Sequence, residues 1–198
     1  MYSRIICDSI KKRIDSGKAI VLIGPRQVGK TTLIESILQS MDYLLLDGDD
    51  PKTRALLTEA NTEQLRSILS KYKYVFIAEA QRIEGIGLTM KIITDRFKNV
   101  QLFASGSSSF DLSNKINEPL TGRKIELFLF PISFFEMCQH TSLIEEKRLL
   151  ETRMLYGYYT EVINNHGEEK EVLQSLTDSY LYKDLFSLDY IKKSGIIE

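Results

Sequence analysis

The stretch from residue 19 to residue 32, AIVLIGPRQVGKTT, constrains the fold of this chain more than any other part of the sequence. Five apolar residues at 19–23 come first, a glycine-rich segment follows, and an amphipathic stretch begins near Lys30. This order predicts a buried strand, a turn and a helix, and it fits the pattern G-x-x-x-x-G-K-[ST] of a phosphate-binding loop. The flanking strand and helix favour that interpretation over a chance match in an ordinary turn.

Each part of the predicted loop has a role in holding phosphate. Its glycines allow backbone N–H groups to turn toward phosphate oxygens, and a helix beginning at Lys30 directs its positive dipole end at the same anion. We expect Lys30 to reach the β- and γ-phosphates and Thr31 to place its hydroxyl on Mg²⁺. For Arg26, a phosphate contact and a solvated or structural role both stay open. The predicted ligand-binding residues are Gly24, Pro25, Arg26, Gln27, Val28, Gly29, Lys30, Thr31 and Thr32.

The rest of the chain alternates between apolar runs and helical patterns. Four further strands are predicted at 43–47, 74–79, 100–105 and within 124–130. Helical spacing predicts helices at 3–15, 62–72, 88–97, 132–139, 142–155 and 168–190. This alternation predicts an α/β fold, a parallel sheet with helices on both faces. Ligands of such sheets bind at the carboxyl ends of the strands, so we expect Gly24, Glu79 and Ser105 to meet at one edge.

Three residues near strand ends are candidates for catalysis. Glu79 ends the third predicted strand and is the candidate general base or water-positioning group, with a solvent-facing acid as the alternative. Ser105 ends the fourth strand, where a hydroxyl can sense the γ-phosphate or serve only as a turn residue. Arg123 precedes the fifth strand and either stabilises transition-state charge, in its own site or a neighbour's, or forms a structural ion pair. The acids after the second strand at 47–50 are interpreted as a turn or helix start rather than a metal site.

Composition excludes several other classes of protein. The formal net charge of this 198-residue chain is −1, so no global attraction to nucleic acid or membrane is implied. Its two cysteines, Cys7 and Cys138, fit no metal spacing and no disulfide framework. The sequence has no apolar signal core and no apolar run long enough to span a bilayer. We therefore expect a cytoplasmic protein with no membrane partner.

Five segments together resemble the prokaryotic AAA-type ATPases that carry a C-terminal domain of unknown function. They are GPRQVGKTT at 24–32, EAQ at 79–81, SGSS at 105–108, LTGR at 120–123 and PISFFE at 131–136. The resemblance implies a P-loop NTPase fold with strand order 5-1-4-3-2, followed by a C-terminal helical segment. It also implies ATP and Mg²⁺ as cofactors and ATP hydrolysis as the activity. By the same resemblance Lys30 and Thr31 bind phosphate and metal, Glu79 activates water, Ser105 is sensor-like and Arg123 belongs to a G-R motif.

The sequence departs from the family pattern in two ways. The family reads D-E-A-Q where this chain has Ala78 before Glu79, and an alanine cannot hold a metal-bound water. The chain is also shorter than family members, so we expect it to be the N-terminal part of a longer protein. On this interpretation residues 1–131 are the ATPase core and residues 132–198 are a helical lid or connector. A protein or DNA partner would then bind through the absent C-terminal region.

Three functions stay open from the sequence. The first is an ATPase whose nucleotide state moves residues 132–198. The second is a nucleotide-binding switch or pseudo-ATPase whose hydrolysis is impaired by Ala78. The third is a DNA-associated regulator, against which the mild charge and the lack of interleaved aromatic and basic residues argue. A homo-oligomer with an arginine supplied by a neighbour is a further expectation from the resemblance.

Overall fold

The structure is a computed structural model that describes residues 2–107 and 116–178. The chain divides into two compact units, 1–130 and 131–198. Ser108 of the SGSS segment and the part of the predicted helix 168–190 beyond residue 178 lie outside the described residues.

The first unit contains a five-stranded parallel sheet. Its strands are β1 (Ala19–Ile23), β2 (Tyr43–Asp47), β3 (Tyr74–Ala78), β4 (Gln101–Gly106) and β5 (Lys124–Phe128). They are ordered β2-β3-β4-β1-β5, and every neighbouring pair is parallel. This is the predicted order read from the opposite edge, so the predicted sheet is confirmed.

Helices connect the strands of this sheet. They are α1 (Ile6–Lys11), α2 (Lys30–Leu38), α3 (Pro51–Leu57), α4 (Thr62–Leu69) and α5 (Ile86–Arg96), with a 3₁₀ turn at Ala80–Arg82. Local sequence fixes several of their starts: Asn61 and Gln64 form a capping box at α4, and the Asp50 side chain caps α3. Helix α1 is shorter than predicted, because turns replace the helix after Lys11.

The three central strands lie in the core. All five residues of β1 and all six of β4 are buried, whereas the edge strands β2 and β5 are largely half-exposed. Since successive side chains of a strand point to opposite faces, a strand buried on both sides reads as a continuous apolar run. One face packs against Leu65, Met90 and Ile93 of α4 and α5. The carboxyl ends of β1, β3 and β4 are thereby held side by side.

The second unit is helical in its described part. Its helices are α6 (Phe134–His140), α7 (Leu143–Arg148), α8 (Leu150–Tyr156), α9 (Thr160–Asn164) and α10 (Glu169–Leu176). Ser133 and Glu136 form a capping box that begins α6. The helix predicted at 142–155 is two helices, because the backbone leaves helical geometry at Leu149. Among the helices of the described residues, none has the length and apolarity needed to cross a bilayer.

A buried charge cluster organises the second unit. The carboxylate of Glu146, which is 0% exposed, lies 3.5 Å from Nε of the buried Arg153. The same carboxylate accepts hydrogen bonds from the Tyr158 hydroxyl at 3.0 Å and from the Thr141 hydroxyl at 3.3 Å. Burial, and then the Glu146 carboxylate, raise the pKa of Tyr158 to about 12. Each buried charge in this cluster therefore has a partner, as buried charges require.

Candidate functional site

The glycine-rich loop continues directly from β1 and ends at helix α2. The backbone N–H of Gly24 donates to the Gly106 carbonyl oxygen at 3.3 Å, which extends the pairing of β1 with β4. A Cβ at Gly24 would lie 2.0 Å from the Leu129 carbonyl oxygen, so only glycine fits this position. At the other end Gly29 adopts a left-handed conformation, with φ of 88°, immediately before α2. Gln27 is also left-handed, with φ of 59°.

Lys30 is the buried cation of this loop. Its side chain is only 5% exposed, and Nζ donates hydrogen bonds to the carbonyl oxygens of Gly24 at 2.9 Å and Pro25 at 2.7 Å. Lys30 also begins α2, so its charge and the positive end of the helix dipole lie at the same place. Both features favour an anion at the loop.

The remaining loop residues differ in their exposure. Thr31 is half-exposed in the first turn of α2, whereas Gln27 and Thr32 are exposed. Val28 is buried through its side chain, so the loop offers only its backbone there. The structure thus places the predicted residues 24–32 in one continuous turn and helix start. Their contacts with a ligand stay predictions.

Glu79 lies just beyond the end of β3 in a strained conformation. Its backbone has φ of 44° and ψ of 43°, the left-handed region that non-glycine residues rarely adopt. The buried Gln81 side chain donates through Nε2 to Glu79 Oε2 at 2.7 Å and to Ser107 Oγ at 3.0 Å. Strained residues cluster at functional sites, and here the strained residue also has a fixed side chain. The polar group formed by Glu79, Gln81 and Ser107 joins the ends of β3 and β4.

Ser105 occupies a different position from the one expected at a strand tip. It lies within β4, paired with Leu22 of β1, and its side chain is 0% exposed. Its hydroxyl is buried and makes no hydrogen bond with the residues that the structure describes. The serine that the structure links to Glu79 is Ser107, which shares the Gln81 side chain with it as hydrogen-bond donor. A buried hydroxyl of this kind, one strand from the loop, is the kind that a ligand or a water satisfies.

Arg123 lies at the opposite end of the strands from the loop. Its carbonyl oxygen accepts from the backbone N–H of Ala19 at 2.9 Å, at the start of β1, whereas the loop follows the end of β1. Its Nε atom forms an ion pair with Asp95 at 2.6 Å, and this guanidinium lowers the pKa of the Asp95 carboxyl. The structure therefore does not bring Arg123 to Lys30. A role in a neighbouring copy's site stays a prediction.

The acids after β2 have local partners. Asp47 Oδ1 accepts from the backbone N–H of Asp49 at 2.9 Å, and Asp50 Oδ1 accepts from the backbone N–H of Lys52 at 3.0 Å. Asp49 pairs with Arg82 at 2.5 Å. In residues 2–107 and 116–178, no group of three or more histidine, cysteine or acidic side chains is arranged to hold a metal.

The structure adds residues to the candidate site to which the sequence patterns assigned no role. Gln81 and Ser107 lie within the EAQ and SGSS segments, two positions after Glu79 and Ser105, and the sequence assigned them no role in the site. Arg4 contacts the loop from the N-terminal segment, where it donates to the Val28 carbonyl oxygen at 3.0 Å. Its partner is 24 residues away, and no sequence pattern marks such a contact.

Comparison with known proteins supports the phosphate-loop interpretation. A family model described as an AAA domain matches residues 16–138, more than half of the 198-residue chain. An uncharacterized protein of Methanocaldococcus jannaschii is 25% identical, over 92% of this chain and 45% of the relative. An uncharacterized protein of Haemophilus influenzae is 25% identical, over 90% of this chain and 48% of the relative. The chain therefore spans about half the length of the curated relatives it matches.

A solved structure shares the fold. The Walker-type ATPase of Pyrococcus abyssi superposes with a TM-score of 0.59 at 15% identity, covering 94% of this chain and 74% of that chain. At this identity the likeness concerns the fold, a parallel sheet of the P-loop NTPase type.

Proposed function

The chain belongs to the AAA domain family and carries an AAA-type P-loop ATPase domain, and from this premise we propose that it binds ATP with Mg²⁺ and hydrolyses it. The observation that carries the proposal is the buried Lys30 ammonium, held by the loop carbonyls at the start of α2. A buried cation beside a helix N-terminus is a site for phosphate. P-loop ATPases generally use ATP and Mg²⁺, and we propose the same substrate and metal ion for this chain.

The donor set of the loop fits a nucleotide phosphate. Lys30 supplies a charge, the backbone between Gly24 and Gly29 supplies N–H groups, and the left-handed Gly29 leads into the helix N-terminus. In this proposal Lys30 moves its hydrogen bonds from the carbonyls of Gly24 and Pro25 toward phosphate oxygens. The buried ammonium therefore has hydrogen-bond acceptors both before and after phosphate binds.

The side chains near the loop also fit Mg²⁺ binding. Mg²⁺ keeps several waters and typically takes one or two protein groups beside substrate phosphates. Thr31 would supply a hydroxyl, whereas Ala78, at the end of β3, offers no side-chain oxygen. When bound, the ion would offset the negative charge that develops on the phosphate oxygens.

Glu79 is the group that we assign to the attacking water. Gln81 donates to its carboxylate and leaves the other carboxylate oxygen able to accept a proton or to orient a water. Gln81 also contacts Ser107, so it couples the carboxylate to the end of β4. Ser105, with its buried hydroxyl in the strand beside the loop, is assigned the role of sensing bound phosphate.

A second function is favoured by one observation, the alanine at position 78. In that case the chain is a nucleotide-binding switch that holds ATP with little turnover, because the metal-bound water lacks its carboxylate partner. The two functions share the loop and differ in the chemical step. The prediction that nucleotide state moves residues 132–198 applies to either.

Nucleotide binding and turnover on one preparation test the proposal. We would titrate ATP by calorimetry with and without Mg²⁺ and then measure phosphate release. Lys30→Ala should abolish measurable binding. Lys18→Ala removes an exposed lysine just before β1, at the other end of that strand, and should leave binding unchanged. Binding that survives Lys30→Ala would refute the loop assignment.

Two further variants separate hydrolysis from switching. Glu79→Gln should retain ATP binding and lower phosphate release by roughly a hundredfold or more, the usual range for a lost general base. Ala78→Asp should raise release if the missing carboxylate limits turnover. Release that is already fast in the unaltered chain and insensitive to Ala78→Asp would favour the ATPase over the switch.

A further inference from the structure

Arg4 joins two distant parts of the first unit through one guanidinium group. Nη1 donates to the Val28 carbonyl oxygen at 3.0 Å, and Nη2 donates to the Phe130 carbonyl oxygen at 2.5 Å. Arg4 lies in the N-terminal segment just before α1, Val28 is inside the phosphate loop, and Phe130 follows the end of β5. The planar guanidinium can hold both carbonyls at a fixed separation.

The contact with Val28 fixes the direction of the next backbone amide. A trans peptide is planar, so the Val28 carbonyl and the Gly29 N–H point in opposite directions. Because the carbonyl is bonded to Arg4, the Gly29 N–H is turned away from Arg4. Gly29 is exposed and immediately precedes the start of α2, where the dipole favours an anion.

The other end of the loop rests on the same segment after β5. The Leu129 backbone N–H donates to the Ile23 carbonyl oxygen at 2.8 Å, and the Leu129 carbonyl oxygen fills the space in which a Gly24 side chain would lie. Residues 129 and 130 therefore support both ends of the loop. At Gly24 the support is direct packing, and at Val28 it passes through Arg4.

We propose that Arg4 is a positioning residue of the phosphate site, which aims the Gly29 N–H at a bound phosphate and ties the loop to the segment after β5. The proposal rests on the proposed function, because it needs the loop to bind phosphate. Arg4 acts through the loop backbone, since the Val28 and Phe130 groups that it bonds are carbonyl oxygens. The ligand class is a nucleotide with at least two phosphates, for which inorganic pyrophosphate is the minimal probe.

Titration of ADP and of pyrophosphate into variants of the full chain tests this role. Arg4→Ala should weaken both ligands about tenfold, the loss expected when one charge-assisted hydrogen bond to phosphate is misaligned. The affinities of Arg4→Lys should lie between those of the unaltered chain and of Arg4→Ala, because an ammonium keeps the charge but lacks the planar guanidinium geometry. Arg13→Ala is the matched control: this arginine donates to the Ser9 carbonyl oxygen, four residues before it, at 2.7 Å, and its loss should leave both affinities unchanged.

A second readout separates positioning from a purely structural role. The amide proton of Gly29 should shift downfield when ADP binds the unaltered chain, because an N–H aimed at a phosphate forms a charge-assisted bond. Arg4→Lys should reduce that shift while the protein stays folded. This variant keeps the test valid if Arg4→Ala does not fold.

The outcomes distinguish this proposal from the one on which it rests. Normal affinity and a normal Gly29 shift in Arg4→Lys and Arg4→Ala, with only a lower thermal stability, would overturn the positioning role and leave nucleotide binding intact. Failure of the unaltered chain to bind ADP, or binding untouched by Lys30→Ala, would overturn both proposals. Equal losses in Arg4→Ala and Arg13→Ala would also overturn the positioning role.

Discussion

The two compact units of this chain bury polar side chains in different ways. In the first unit, several buried polar groups lie at the carboxyl ends of central strands and contact loop backbone or one another. Lys30 is held by carbonyl oxygens of the loop, and Gln81 by the side chains of Glu79 and Ser107. Ser105 has a buried hydroxyl with no hydrogen bond to the described residues.

In the second unit the buried charges of Glu146 and Arg153 are paired with each other. Their ion pair spans 3.5 Å, and the Tyr158 and Thr141 hydroxyls donate to the same carboxylate. Arg153 Nε makes no hydrogen bond within the residues that the structure describes. The Arg153 guanidinium also lies 5.5 Å from the centre of the Tyr158 ring. Because this cluster pairs one buried carboxylate with one buried guanidinium, we expect it to act on stability.

The difference separates groups that are available to a ligand from groups that serve the fold. Polar side chains that bond to loop carbonyls, or that have a donor or acceptor without a hydrogen bond, can change partners when phosphate binds. Two opposite charges that pair with each other in a buried cluster cannot separate without a large penalty. We therefore expect substitutions in the first set to change affinity more than stability, and substitutions in the second set to do the reverse.

After Lys30→Ala, the largest effect on binding is expected from Gly24→Ala. The new methyl group would lie 2.0 Å from the Leu129 carbonyl oxygen, so the loop or the segment after β5 must move. We expect nucleotide affinity to fall by at least roughly a hundredfold, since the cradle is displaced as a whole. Calorimetry with ADP measures the loss.

Gly17→Ala is the matched control for that substitution. Gly17 has φ of 74°, lies just before β1 at its other end, and has open space where a methyl group would point. Alanine there should cost about 1–2 kcal/mol of stability through backbone strain alone. Affinity that falls as far in Gly17→Ala as in Gly24→Ala would show that general destabilisation explains both.

Arg153→Met should have the largest effect on stability without an effect on binding. It leaves the Glu146 carboxylate buried without its cation, and removing one member of a buried pair typically costs about 3–5 kcal/mol. Urea unfolding followed by a probe of the second unit measures the loss. The double variant Glu146→Leu/Arg153→Met should be less destabilised than the single variant, because no unpaired charge remains. A double variant as unstable as the single one would contradict the ion-pair explanation.

Sequence patterns predicted the sheet better than the site. The run AIVLI and the runs of β3 and β4 are largely apolar because these central strands are buried on both faces, and this burial leaves a direct mark in the sequence. The strand order came from the resemblance, since nothing local to a strand states which neighbour it pairs with. Helix α3 was expected only as a turn or helix start, although Asp50 and Pro51 are a good capping sequence.

The contacts of the site could be predicted only in part. Residues 24–32 form one motif because a phosphate loop is a local structure. The link from Glu79 through Gln81 to Ser107 spans two strands, and the Arg4 contact spans 24 residues, so neither leaves a spacing that a single sequence reveals. The ion pair of Arg123 with Asp95 is equally non-local.

A smaller effect is expected at alkaline pH in the second unit. Burial and the Glu146 carboxylate raise the pKa of Tyr158 from an ordinary value of about 10 to about 12. The unfolded chain therefore loses this proton at lower pH than the folded chain does. The contribution to stability is complete below about pH 10 and is lost as the pH rises toward 12. Tyr158→Phe should flatten this part of the pH profile of unfolding, and parallel profiles would refute the assignment.

The smallest effect on affinity is expected from Arg123→Ala. This substitution tests whether a residue at the amino ends of the strands affects the phosphate loop at their carboxyl ends. Arg123 lies near the start of β5 and pairs with Asp95, whereas the phosphate loop follows the end of β1. An exposed ion pair of this kind contributes little to stability. Because the loop also lies a strand length away, ADP affinity should match that of the unaltered chain. Asp95→Asn is the matched variant, because it breaks the same pair and keeps the arginine. A loss of phosphate release in Arg123→Ala that is absent in Asp95→Asn, and that grows with protein concentration, would instead indicate an arginine acting on a neighbouring copy's site.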